Sequence, residues 1–387
     1  MFRKAIIMPV RIFYGVAGEG LGHASRLLSV IGHLPECEIH VFTFGKAYDF
    51  FASQDYPHLH EIDGLLFEYR QGSVNYLRTL WKSCRFYVSG LKRNIQYIVE
   101  QAQKLQPDLF ITDFEPSVIR AAHRLKQTVL SIDNQHKFVD CRADSLPPFL
   151  KLYACLTGIS VKLMIPSPIR SVVATFHADR LQKRHNRVTL TGGILRKEVE
   201  EQPIANKGFI LVYLRQSVGE AIAASLAGCG REVRVYGAGE EIRTRYRGQM
   251  KFFDLSPKFV EELAACDKVI STAGNQLISE CRYFGKPILT IPEPGQYEQA
   301  VNAHFVEEIG LGRSCAVKKL TPEVIQDFIS SFQCQSERIP NGIFEVIRVI
   351  REQLSTVLSV EPQLKSGDDV VEVNRTLRNR GHALKTI

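Results

Sequence analysis

The chain predicts an α/β protein of two Rossmann-like domains, each a parallel sheet with helices on both faces, opposed across a cleft. Two observations carry this expectation. Glycine-bearing strand-to-helix turns occur near both ends of the chain, at Gly18-Glu19-Gly20-Leu21-Gly22-His23 and at Ser271-Thr272-Ala273-Gly274-Asn275. Short β-branched runs also alternate with helical periodicity through both halves. With 387 residues, 45% of them hydrophobic, the chain can bury two separate cores.

In the first half, residues 11–16 form a β-branched and aromatic strand that feeds the first glycine turn and a helix over 23–33. Strands follow at 38–44, 109–112 and 128–132, with a helix over 117–126 between the last two. Asp113, Glu115, Asp133, Asn134 and His136 fall at strand ends, where ligands collect in parallel sheets. After a strand at 188–192, a charged segment containing Pro203 reads as a linker. The pattern then restarts. Strands are expected at 209–214, 233–236, 268–271 and 288–291, and helices at 218–227, 259–265, 276–284, 321–332 and 344–357. The expected division is a first domain over 1–196, a linker over 197–207, a second domain over 208–345, a terminal helix over 346–360 and a polar tail over 361–387.

Composition excludes several classes. Nine cysteines, with no C-x-x-C pair and no Cys/His spacing suited to zinc, imply a reduced compartment and no structural metal. No apolar run approaches the roughly 18 residues of a membrane span, and the start of the chain is too short for a signal peptide. The expected location is the cytoplasm, peripheral on the inner face of the plasma membrane. A net charge of +8 favours an acidic partner. Between Tyr69 and Tyr97 there is no acidic residue. Arg78, Lys82, Arg85 and Lys92 there form a basic stripe beside Leu77, Trp81, Cys84, Val88 and Leu91. This reads as a basic amphipathic helix: either an ordinary domain helix with a solvated basic side, or a surface for an anionic membrane or acidic acceptor, with Trp81 and Tyr87 at the interface. A noncatalytic polyanion binder is the alternative. Nucleic acid is not expected, because the basic residues are not interleaved with exposed aromatics.

The first glycine turn departs from a dinucleotide fingerprint. Its third glycine comes one residue early, at Gly22, and the second strand ends in Thr43-Phe44-Gly45 without an acidic residue for a ribose. No P-loop motif occurs. His23, at the helix start, is either a capping residue or a general base. The second turn presents backbone N–H groups at a helix head, a seat for a diphosphate leaving group. On that helix Gln276 and Glu280 share a face, and Glu280 is either a ribose ligand or a solvated carboxylate. Beyond the stiff loop Pro292-Glu293-Pro294-Gly295, the polar set Gln296, Tyr297, Glu298, Gln299, Asn302 and His304 either binds sugar hydroxyls or begins a surface helix.

The run from Leu263 to Gly274, with Glu280, Gly285-Lys286-Pro287, Glu298-Gln299 and Asn302-Ala303, resembles the donor-binding region of GT-B glycosyltransferases. The nearest in style are the lipid-linked N-acetylglucosaminyltransferase of peptidoglycan synthesis, MurG, and the diacylglycerol galactosyltransferases. Gly22-His23 is similar to the end of their N-terminal glycine loop. The resemblance spans roughly residues 10 to 355. It implies a nucleotide diphosphate sugar donor, with uridine the usual base, and no other cofactor. The diphosphate would lie on Thr272, Ala273, Gly274 and Asn275, the ribose on Glu280, and the sugar on Glu298 and Gln299, with Gly20 and Gly22 facing the donor. The family's usual Gln-Gln is Glu298-Gln299 here, and its glycine loop after the first C-terminal strand is Tyr213-Leu214-Arg215-Gln216-Ser217, where Arg215 and Ser217 would meet phosphate. The implied reaction is metal-independent transfer with inversion to a sugar, lipid or polyol acceptor. His23 is the first candidate base, and Asp113 and Glu115 are the next. A nucleotide-sugar hydrolase fits the same scaffold.

Overall fold

The computed structural model describes residues 9–18, 20–64, 69–70, 73–74, 86–215 and 217–360. The first half contains β1 (Val10–Val16), α1 (Leu21–His33), β2 (Cys37–Thr43), α2 (Gly45–Ala52), β3 (Leu59–Glu61), α3 (Leu91–Leu105), β4 (Leu109–Asp113), α4 (Pro116–Arg124), β5 (Val129–Asp133), α5 (Lys137–Asp140), α6 (Pro148–Met164), β6 (Arg170–Ala174), β7 (Val188–Thr191) and α7 (Lys197–Glu200). The second half adds β8 (Ile210–Tyr213), α8 (Gly219–Leu226), β9 (Val233–Tyr236), α9 (Glu240–Arg245), β10 (Lys251–Phe253), α10 (Lys258–Ala265), β11 (Lys268–Ser271), α11 (Asn275–Phe284), β12 (Ile288–Thr290), α12 (Tyr297–Glu308), β13 (Gly312–Ser314), α13 (Pro322–Ser331) and α14 (Ile343–Val360).

Two parallel sheets result. The first is seven-stranded, β7-β6-β5-β4-β1-β2-β3, and the second six-stranded, β10-β9-β8-β11-β12-β13. Their central strands are apolar on both faces because helices cover both: β1, β4 and β5 are buried almost throughout. Each sheet starts on a central strand, winds outward, then returns to the other side of that strand. The reversal falls between β1 and β4 in one sheet and between β8 and β11 in the other. Crevices beyond the carboxyl ends of such strands are where ligands bind. Both glycine turns lie there, after β1 and after β11.

The chain crosses between the domains at Gly192-Gly193 and returns at Pro340-Asn341-Gly342. A Cβ on Gly193 would come within 2.2 Å of Ser279 Oγ on α11, and one on Gly342 within 2.1 Å of the Gly192 carbonyl, so the crossings pack on α11 and on each other too closely for side chains at these glycines. Asn341 ties them, accepting from the Leu195 N–H and donating to the Leu195 carbonyl, both at 2.9 Å. Beyond this crossing α14 lies on the first domain, where Ile343, Val346, Ile350 and Leu354 join Leu27 and Val30 of α1 in one core. Of the expected basic helix, Arg78, Trp81, Lys82 and Arg85 lie outside the described residues; Lys92 is exposed on α3.

Candidate active site

Gly18 is demanded by its turn, since a Cβ there would overlap the Phe44 carbonyl at 1.9 Å. Gly20 faces open space. A Cβ on Gly22 would touch the Gln276 Cβ at 3.7 Å, so the N-termini of α1 and α11 face each other across the cleft. Gly274 likewise has open space before it, with a backbone conformation any residue can adopt.

His23, in the first turn of α1, places Nδ1 2.9 Å from Oδ1 of Asp113, the last residue of β4. Arg26, one turn further along α1, grips the same carboxylate with Nε at 3.0 Å and Nη2 at 2.7 Å. The Asp113 side chain is fully buried and that of His23 16% exposed. Burial pushes the Asp113 carboxyl up, but Arg26 and His23 outweigh it and hold the group below the ordinary aspartate value. A charged Asp113 favours the tautomer with the proton on Nδ1, which leaves Nε2, on the ring side away from Asp113, as a lone pair. Arg26 Nη2 also lies 2.7 Å from Nδ1, a contact that fits the opposite tautomer, so the Asp113 charge decides between them.

The neighbouring strand repeats the pairing. Asp133, ending β5, takes His136 Nδ1 at 2.7 Å, its N–H at 2.8 Å and Ser131 Oγ at 2.6 Å, and is held down at about 2 despite burial, chiefly by His136. This pair is buried deeper than the first and braces the start of α5.

Several expected roles are corrected. Glu115 accepts the N–H groups of Ser117 and Val118 at 2.8 and 2.7 Å, so it caps α4 and its carboxylate is not available as a base. Asp113 is a partner of His23 and not itself a base, because both its oxygens are engaged in the core. Asn275 turns its side chain onto the first domain, accepting from Thr175 Oγ1 at 2.8 Å, and the Thr272 and Ala273 side chains are buried, so this turn offers a ligand its backbone. Arg215 Nη1 donates to Glu293 Oε2 at 2.9 Å and Ser217 Oγ to Glu293 Oε1. Gln299 completes that loop, its Oε1 accepting the Glu293 N–H at 2.9 Å and its Nε2 donating to Oε2 at 2.7 Å. Glu293, which the sequence marks only as part of a stiff loop, is thus the organiser of three residues expected on donor phosphate or sugar.

Glu298 does face the opposite domain. Asn134 Nδ2 donates to it, and Lys137 Nζ reaches Asn134 Oδ1 at 3.1 Å and Asn302 Oδ1 at 2.8 Å. Burial lowers the Lys137 ammonium to about 8, with Glu298 opposing the drop. Glu280 is buried on α11, with Gln276 Nε2 at 3.1 Å and Arg196 Nη2 at 3.8 Å from Oε1, and burial raises its carboxyl. The signal for Arg26 is its spacing of three from His23, which puts both on one helix face. Lys137 carries no comparable signal.

The geometry is a cleft between two Rossmann-like domains, with a His–Asp pair on one wall and, on the other, the N-terminus of α11 with open space beside Gly274. The model of glycosyl transferase family 1 matches residues 10–333. The chain belongs to this glycosyltransferase family. An uncharacterized glycosyltransferase of Methanosarcina acetivorans is 24% identical over 368 residues, covering 83% of this chain and 89% of the relative. The UDP-N-acetylglucosamine–N-acetylmuramyl-(pentapeptide) pyrophosphoryl-undecaprenol N-acetylglucosamine transferase of Bartonella bacilliformis matches over a shorter stretch, 26% identical over 110 residues, 28% of each chain. Among solved structures, Acinetobacter baumannii MurG superposes with a TM-score of 0.56 at 14% identity, covering 89% of this chain and all of MurG. The calicheamicin glycosyltransferase CalG4 superposes at 0.58 and 13%, covering 98% of each. This glycosyltransferase has the GT-B fold, with the cleft between its domains at the two topological reversals.

Proposed function

We propose that the enzyme transfers a sugar from a nucleoside diphosphate sugar, with uridine as the base, to an acceptor hydroxyl by a single inverting displacement. The observation that carries this reading is the opposition of His23, oriented by Asp113, to the open N-terminus of α11. The diphosphate sits on the backbone N–H groups at Gly274, where the helix dipole meets the charge that develops on the leaving group without requiring a divalent ion. Glu280 holds the ribose hydroxyls and Glu298 the sugar. His23 Nε2 removes the acceptor proton as the acceptor oxygen attacks the anomeric carbon, and Asp113 stabilises the imidazolium that forms. Arg215 and Gln299 serve this site through Glu293, by fixing the loop that precedes Glu298. Solved relatives in complex with UDP and with UDP-glucose support the donor class.

An acceptor at a lipid surface is supported by α6. Phe149, Leu152, Leu156, Ile159 and Leu163 recur at helical spacing along it and are 53% to 67% exposed. Lys151 and Lys162 flank this stripe, and the helix carries no acidic residue. Its other face is anchored by Leu150 and Val161, and by Gly158, where a Cβ would meet the Phe138 carbonyl at 2.7 Å. Tyr153 packs on Tyr297, beside Glu298, so the stripe lies next to the cleft. Such a helix rests on anionic headgroups without crossing them; no described helix is long and apolar enough to span a membrane.

The test is UDP release from a panel of UDP-sugars with lipid, sugar and polyol acceptors. His23→Ala is expected to lower it about a hundredfold or more. Unchanged release removes His23 as the base, and free sugar formed without any acceptor favours hydrolysis.

A further inference from the structure

The spacing of Cys and His along the chain offers no zinc motif, yet the fold assembles a set of metal-ligand side chains far from the cleft. Glu38 and His40 alternate on β2 and point to one face. The register pairs Val41 with Leu59 and Phe42 with His60, and the Val41 N–H bonds the His58 carbonyl at 2.8 Å, so His58 and His60 of the edge strand β3 and its approach line up beside them. One ligand atom each from Glu38, His40 and His58 falls within 4.8 Å of the other two. The His40 and His58 rings are 4.7 Å apart, centroid to centroid.

We propose that Glu38, His40 and His58 bind a divalent transition-metal ion of the zinc type, which pins the edge strand β3 to β2. Nitrogen and oxygen ligands at about 2.0–2.1 Å from a tetrahedral ion stand about 3.4 Å apart, so closing the set takes movements of about 1 Å. Glu38 and His58 are half-buried and can make them, and His40 is the buried floor. Water from the solvent side supplies the fourth position.

The surroundings suit a metal. His40 Nε2 faces Glu38 Oε1 at 2.8 Å, while its Nδ1 meets His60 Nε2 at 3.0 Å, and His60 Nδ1 meets Tyr97 Oη at 2.8 Å. This chain runs in either direction. With a proton on Nε2, His40 donates to Glu38 and receives from His60. With a metal on Nε2, His40 Nδ1–H donates to His60, whose own Nδ1–H donates to Tyr97. Outer partners of this kind fix the tautomer of a ligating imidazole. Arg11 Nε donates to Glu38 Oε1 at 2.9 Å, holding the carboxylate beside His40.

The test titrates cobalt(II) and zinc into chelator-treated full-length protein, following visible absorption, calorimetry and melting temperature. The proposal expects one equivalent bound with micromolar or tighter affinity, cobalt bands without thiolate-to-metal charge transfer, and a rise in melting temperature. His58→Ala, on the half-buried side, should lose at least tenfold in affinity and lose the temperature rise, while melting as the wild type does in chelator. Glu38→Gln should weaken binding in the same direction. Absence of one-to-one binding overturns the proposal. So does a cysteine-type cobalt spectrum, or binding that His58→Ala and Glu38→Gln both leave unchanged.

Discussion

His23 Nδ1 and Asp113 Oδ1 are 2.9 Å apart, bringing the first turn of α1 against the end of β4. The pair exists because β1 and β4 are neighbours in the sheet although α1, β2, α2, β3 and α3 separate them in sequence. The same carboxylate neutralises a buried guanidinium, Arg26. Asp113 therefore has two roles, which comparison with His23→Ala separates.

Asp113→Asn keeps the shape but removes the charge that sets the His23 tautomer. Turnover is expected to fall about 10²–10⁴-fold, comparable to His23→Ala. Unlike His23→Ala, it also leaves the buried Arg26 without the carboxylate charge it pairs with, at a cost of up to about 3–5 kcal/mol. Urea denaturation of both variants separates the two effects: a large loss of stability should appear in Asp113→Asn alone.

Glu280→Ala is expected to weaken nucleoside diphosphate binding at least tenfold, about 1.4 kcal/mol, because the ribose loses its acceptor. Calorimetry with UDP and with a phosphate-only probe such as pyrophosphate checks the assignment. The loss should appear with UDP and not with pyrophosphate.

Glu293→Ala is expected to remove the carboxylate that Arg215, Ser217 and Gln299 share. Leaving the buried Gln299 amide without its partner costs about 1–3 kcal/mol of stability. The donor KM should rise more than kcat falls, since Glu293 positions the loop and touches no reacting atom. An unaltered KM with lowered kcat contradicts that role.

Lys137 gives a pH signature. Its ammonium titrates at about 8 in the folded protein against an ordinary lysine value of 10.5. Between those values the unfolded chain binds the extra proton, so stability rises with pH over this window. The full difference is worth about 3 kcal/mol. Lys137→Met should flatten the rise, measured as unfolding free energy at pH 7.5, 9 and 10.5 against the wild type.

Most parallel core strands were legible because burial on both faces leaves short apolar runs bounded by turns; β6, buried between β5 and β7, was not. Val233–Tyr236 and Lys268–Ser271 appear in the structure with the boundaries read from sequence. Strands β3, β10 and β13 were not, each being three residues at or next to a sheet edge with half-exposed polar positions. Helix α6 escaped because it is apolar on its exposed side as well as its buried side, which erases the amphipathic contrast on which helical periodicity depends. The strand-to-helix turns at His23 and Gly274 were legible as local motifs. Glu115 and Gln299 were misread because residue type and spacing do not reveal which neighbour satisfies a polar group; a cap and a loop clamp look like a base and a sugar ligand. The His40–His58 juxtaposition depends on strand register and has no linear signature.

In the proposed reaction the N-terminus of α11 seats the diphosphate of the donor. Titrating UDP into the wild type and into Gly274→Asp tests it most directly. Gly274 is the N-cap of α11, has no atom within 4 Å of a built Cβ, and has a φ of −74°, so aspartate there fits and caps the helix. Saturable UDP binding is expected of the wild type, with a variant that melts at the same temperature or higher yet binds no UDP. Equal UDP affinity in the two proteins, or no binding of UDP or any other nucleoside diphosphate to the wild type, would contradict it.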